Sequence, residues 1–83
     1  MKVRVLITLK EGVLDPQGKA IEGALHGLGF DGASGVRQGK LIDLTIADAA
    51  SAEEAETKAK AMCDKLLANP VMERYSVEVQ AGA

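Results

Sequence analysis

The chain has 83 residues, with 10 Lys and Arg against 12 Asp and Glu, a net charge of −2 and 47% hydrophobic residues. That describes one small, mildly acidic globular domain. It excludes disorder, offers no basic surface to a phosphate backbone, and leaves no room for a cofactor domain beside a catalytic one. Phe30 and Tyr75 are the only aromatics, and Cys63 and His26 are the only cysteine and histidine, which argues against base stacking, an internal disulfide and a zinc site.

Val3, Val5, Ile7 and Leu9 alternate with Lys2, Arg4, Leu6, Thr8 and Lys10. Period two with β-branched residues predicts a strand with one buried face, and Leu6 breaks the polar face. Glu11-Gly12 signals a turn. Asp15-Pro16 reads as a helix start, an N-cap carboxylate followed by proline where its missing N–H costs little. Ala20, Ile21, Ala24, Leu25 and Leu28 then recur at helical spacing, and Gly29 ends the run. Ala20, Gly23 and Gly27 form a stripe of small residues on this helix. It suits close packing on the sheet or, on a sharper reading, the approach of another backbone.

Phe30 to Gly35 is loop material. Val36 to Ile46 is extended, with a bend at Gln38-Gly39 and alternation of Ile42, Leu44 and Ile46 against Leu41, Asp43 and Thr45. Ser51-Ala52-Glu53-Glu54 fits a capping box. Ala55, Ala59, Met62 and Leu66 mark the apolar stripe of a second helix. The pairs Glu54–Lys58 and Glu56–Lys60 label its solvated face. Asn69-Pro70 stops this helix, and Tyr75, Val77 and Val79 alternate as a last strand.

The order predicts an α+β fold, a two-layer sandwich with helices on one face of an antiparallel sheet, as a single domain over 1–83. If the bend divides the middle segment, the order is βαββαβ, ferredoxin-like. No stretch approaches the ~20 apolar residues of a membrane span, and a cytoplasmic protein is expected.

Candidate chemistry is sparse. His26 falls away from the apolar stripe of its helix and one turn after Glu22, so an exposed, loosely paired histidine is expected. Cys63 borders the apolar stripe of the second helix and reads as a buried, inert hydrophobe. Asp15 and Gln17 sit at a helix start, where capping is the better account than anion binding. Arg37 and Lys40 flank Gly39 at the bend as a charged turn or a partner contact. No phosphate loop, nucleophile elbow or paired-cysteine motif occurs.

Three segments, LKEGVLDPQGKAIEGALHGLGF, VRQGKLIDLTI and MCDKLLANPVMERYSVEV, resemble in order and at full length PurS, the small subunit of phosphoribosylformylglycinamidine synthase. Met72 stands where the family often has Ile, and Arg74 where Asp is common. The resemblance implies a subunit of a glutamine- and ATP-dependent ligase of purine biosynthesis. A glutaminase subunit (PurQ) releases ammonia, and a synthetase subunit (PurL) binds ATP and magnesium. The small subunit assembles the two, assists ammonia transfer and forms a homodimer or higher homo-oligomer. No catalytic, cofactor or metal-binding residue is then expected in this chain. Asp15, Gln17, Arg37, Lys40, Asn69 and Glu73, at the motif turns, are the candidates for partner contact. The alternative is an ACT-like module binding a small metabolite between protomers, which would share the fold. Nucleic acid and membrane are not expected partners.

Overall fold

The computed structural model describes residues 1–80; the last three residues of the domain expected over 1–83 lie outside the described residues. Its elements are β1 (Lys2–Leu9), α1 (Pro16–Gly27), β2 (Gly39–Thr45), α2 (Ala52–Met62) and β3 (Glu73–Gln80), with a π-helical turn at Cys63–Leu67 between α2 and β3.

The alternation in β1 puts Val3, Val5 and Ile7 on one face, each at most 2% exposed. β1 is the central strand of a sheet ordered β2-β1-β3, antiparallel to both neighbours. The register sets Val5 opposite Ile42 and Val77, so the apolar residues of all three strands share the inner face. Leu6 pairs with Leu41 on the outer face, where both are exposed and Arg4 bridges to Asp43 at 2.9 Å.

α2 covers the inner face. Ser51 caps it, accepting from Glu54 N at 3.1 Å, while the Glu54 carboxylate reaches back to Ala50 N at 3.0 Å. Ala55, Ala59 and Cys63, at four-residue spacing, are fully buried. Their small size lets the helix axis come close to the strands. The widened turn that follows is closed by Ala68 N donating to Cys63 O at 3.1 Å, the i to i+5 bond of a π-helix. It keeps Leu67 and Ala68 against the core and sends Leu66 into solvent, 83% exposed.

The α+β class and the antiparallel sheet are as the sequence implies. The middle segment resolves into one strand, so the order reads βαβαβ, and the sheet has three of the four strands of a ferredoxin-like arrangement. The strand that would follow α1 directly is not formed among the described residues; Val36–Gln38 is irregular. This accounts for where α1 lies. With no fourth strand beneath it, α1 contributes no residue to the core, and its one buried residue is Gly18. Ile21 and Leu28 of the predicted apolar stripe are exposed, and Gly23 and Gly27 have no neighbouring atom within 4 Å of where a Cβ would stand. The radius of gyration, 16.1 Å, exceeds the roughly 12 Å of a compact chain of this length for the same reason.

Candidate functional site

The three motif segments are far apart in sequence and meet at one end of the sheet, where β1 ends and β2 and β3 begin. The meeting is made by backbone groups. Lys10 N donates to Met72 O at 2.8 Å, and the Lys10 ammonium donates to Pro70 O at 2.7 Å, tying the ANPV turn to the end of β1. Arg37 donates from one terminal nitrogen to the carbonyls of Lys10, at 3.2 Å, and Val13, at 3.0 Å. That fastens the residues before β2 to the turn after β1.

Asp15 is the hinge of the arrangement. It caps α1, one carboxylate oxygen accepting from Gly18 N at 2.8 Å and the other from Gln38 N at 2.8 Å. It is 5% exposed. The Gln38 N–H, then that of Gly18, hold its pKa below the ordinary carboxylate range, and the charge of Arg37 adds to this against the opposing effect of burial. Capping is therefore confirmed as its structural role, and the same side chain also fixes the VRxGK segment.

Gln17 is exposed in the first turn of α1 and lines, with Asp15, Gly39, Lys40 and Glu73, an inner cleft of about 220 Å³. Lys40 Nζ lies 3.6 Å from Glu73 across this cleft, a loose pair with an exposed ammonium. Glu73 also accepts from Asn69 N at 2.8 Å, and Asn69 Oδ1 accepts from Val71 N at 2.9 Å, which folds the ANPV turn. The structure thus places all six sequence-derived candidates around one end of the sheet. Asp15 is buried, Glu73 is partly buried, and Gln17, Arg37, Lys40 and Asn69 are open to solvent.

Residues that the sequence did not single out also matter. Lys10 connects two of the three segments, and its only sequence signal is its place at the end of the alternation. Glu22 accepts from Val36 N at 3.2 Å, and His26 Nε2 donates to Ala33 O at 2.6 Å. The expected loose pair of His26 with Glu22 is replaced by two separate bonds that hold the 33–36 loop along α1. Cys63 is buried as expected, and burial, with the charge of Asp64, pushes its thiol up, away from the reactive thiolate. Tyr75 donates to Asp64 at 2.9 Å, which raises the phenol's pKa and ties β3 to the π-helical turn.

No group of three or more His, Cys, Asp or Glu suited to a metal ion occurs among the described residues, and no helix there is long and apolar enough to cross a membrane. We expect Cys63→Ala and His26→Ala to leave the activity of any complex containing this chain nearly intact apart from stability. A hundredfold rate loss in folded variant protein, measured in a turnover assay, would contradict that assignment.

Residues 2–81 match the family described as PurS: Phosphoribosylformylglycinamidine (FGAM) synthase. Among similar proteins is the phosphoribosylformylglycinamidine synthase subunit PurS of Bacillus subtilis, 47% identical over 79 residues, covering 95% of this chain and 92% of that one. The PurS subunit of Archaeoglobus fulgidus is 49% identical over 73 residues, covering 88% and 90%. A crystal structure of Methanocaldococcus jannaschii PurS, described as one of the subunits of formylglycinamide ribonucleotide amidotransferase in the purine biosynthetic pathway, superposes with a TM-score of 0.85 at 40% identity, covering 95% and 94%. A chain in the structure of PurLQS from Thermotoga maritima superposes with a TM-score of 0.83 at 34% identity, covering 93% of each chain.

Proposed function

From the premise that this chain belongs to the PurS family, the small subunit of FGAM synthase, we propose that it is the non-catalytic member of that enzyme. In this role it assembles the PurQ glutaminase with the PurL synthetase and assists the passage of ammonia between them. The family match decides between the two readings that the residues alone left open. The observation that carries the assembly role is the likeness to a chain held within a PurLQS structure, at 34% identity over 93% of this chain. ATP and magnesium belong to the synthetase subunit in this reading, and the setting is the cytoplasm.

The chain's own chemistry suits that division of labour. Its thiol is buried with a raised pKa, and its imidazole is occupied by a loop carbonyl, so neither is placed as an activated nucleophile–base pair. What the chain does offer is an end of sheet on which three turns are fastened, mostly by side chains bonded to backbone groups. A firm surface of this kind seals an interface, and a sealed path keeps ammonia from dilution and protonation in water. Gln17, Arg37, Lys40, Asn69 and Glu73 are the groups through which we place partner contact, with Asp15 holding the turn that presents them. The test is direct: the purified chain should co-elute with the two large subunits, and alone it should hydrolyse neither glutamine nor ATP. Turnover by the isolated chain, or failure to co-elute with either subunit, overturns the reading.

We further propose that the chain is a homo-oligomer. α1 presents Ile21, with Leu14, Leu28 and Phe30 at its ends, as apolar side chains that nothing among the described residues covers. Leu6 and Leu41 add a pair on the outer sheet face, and β2 and β3 leave open edges. A second copy covering these surfaces supplies the burial that so small a core lacks. Sedimentation at micromolar concentration should give a multiple of the chain mass, and Ile21→Glu with Leu28→Glu should shift it to a single chain. A wild-type mass of one chain would contradict this.

A further inference from the structure

Two guanidinium groups face one open cleft of about 290 Å³ at the site end of the sheet, walled by Thr8, Leu9, Glu11 and Gly12. Arg37 reaches it from the segment before β2. Arg74 reaches it from β3, where it stands opposite Thr8 on the outer face. Each is anchored by part of its fork and free elsewhere. Arg37 uses a single terminal nitrogen on the carbonyls of Lys10 and Val13. Arg74 uses Nε, in a long 3.3 Å bond to Thr8 Oγ1. Both groups keep further N–H donors without a partner among the described residues, out of the five each guanidinium carries. Neither has a carboxylate within 4 Å among those residues, which they share with Lys2, Lys10, Lys19 and Lys65; Arg4 is the arginine with an ion pair. Glu11 lines the same cleft without bridging to either.

Two like charges lining one cleft, each with its orientation partly fixed in advance, form a receptor for an anion. We propose that Arg37 and Arg74 bind a carboxylate presented by another subunit of the synthase. This rests on the assembly role above and deepens it by naming the chemistry of the contact. The free terminal edge of Arg74 offers two parallel N–H groups that match a carboxylate bidentately, and Arg37 supplies a second charge beside it. A side chain from a partner fits the site better than a free phosphate. The cleft is open, and Glu11 in its wall repels a dianion. The cleft also adjoins the turns through which partner contact is placed, so an acidic residue reaching it would extend one continuous interface.

The experiment measures binding of the intact chain to the purified synthetase and glutaminase subunits of the same organism, at low and at high salt, for the wild type, Arg74→Glu, Arg74→Gln and Arg74→Lys. Thermal unfolding of each variant comes first, and Arg74→Gln replaces Arg74→Glu if the reversal impairs folding. Affinity for one large subunit should fall roughly tenfold or more at low salt in Arg74→Glu, with a flatter salt dependence. Arg74→Lys, which keeps the charge and loses the fork, should fall between. A folded Arg74→Glu that binds both subunits with wild-type affinity and salt dependence overturns the proposal. So does saturable binding of inorganic phosphate that Arg74→Glu abolishes while assembly stays unchanged, because the cleft is then a small-anion site. Failure of the wild-type chain to bind either subunit would instead overturn the assembly role itself.

Discussion

Gly18→Ala and Gly39→Ala should each destabilise the fold by about 1–3 kcal/mol, the usual cost of forcing atoms into a packed site, while Gly23→Ala and Gly27→Ala should not. The contrast comes from geometry. A Cβ on Gly18 would collide with the Val36 carbonyl oxygen and stand 2.9 Å from an Asp15 carboxylate oxygen. On Gly39 it would stand 2.5 Å from the Ile7 carbonyl oxygen and 2.9 Å from Thr8 Cγ2. Backbone is the nearest obstacle in both places, so relief requires moving a strand or a helix start. Both φ values are ordinary for any residue; the need for glycine is one of space. Gly23 and Gly27 face open solvent within the chain, and alanine there should favour the helix by up to about 1 kcal/mol each. Denaturant unfolding of the four variants checks this. Equal losses at all four would mean that α1 is packed within the chain after all. Unchanged stability at Gly18 and Gly39 would contradict the role given to the two close approaches.

Asp15→Asn should unfold at lower temperature than the wild type at neutral pH, and the gap should close as the solution becomes acidic. Both Asp15 oxygens are acceptors in use, one for Gly18 N and one for Gln38 N. An asparagine keeps one acceptor and turns an NH₂ toward the other N–H, donor against donor, in a site only 5% exposed. The pH dependence follows from the lowered pKa of Asp15. Between the folded value and the unfolded value of about 3.9, the unfolded chain binds more protons, so stability rises with pH. The contribution is complete above the unfolded value and is lost as pH falls through the folded one. Melting curves from neutral to strongly acidic solution should therefore converge at the acid end. A gap independent of pH would show that shape rather than charge sets the role of Asp15.

Much of this arrangement was legible in the sequence, for reasons that particular residues make plain. The alternation around Val5 defines a strand because a pleat sends every second side chain to the same face. Ser51 and Glu54 define a helix start because their groups match orphan N–H donors. The packing of α1 was not legible. Helical spacing of Ile21, Leu25 and Leu28 says that one face seeks cover, and says nothing about what covers it. The π-helical turn had no signal either, since one widened turn leaves the run CDKLL looking like ordinary helix.

The convergence of the motif turns was legible in the sequence, their wiring less so. Motif turns pointed to Asp15, Gln17, Arg37, Lys40, Asn69 and Glu73, and these do converge. Arg37 was expected to spend its fork on a partner, and it already spends one nitrogen on two carbonyls of its own chain. Arg74 drew attention only as an unusual residue at its position, and its place opposite Thr8 emerges from strand register that no spacing reveals. Lys10 carries no local signal of its contacts because its partners, Pro70 and Met72, lie at the far end of the sequence.

The central claim is that this chain couples two enzymes without catalysing either reaction. The measurement that tests it most directly compares glutamine-dependent with ammonia-dependent FGAM formation by the two large subunits, with the chain absent and then added. The account predicts that the chain raises glutamine-dependent turnover strongly and ammonia-dependent turnover little, because only the first requires ammonia to pass between subunits. An equal rise in both, or no rise in the glutamine-dependent rate, would contradict it.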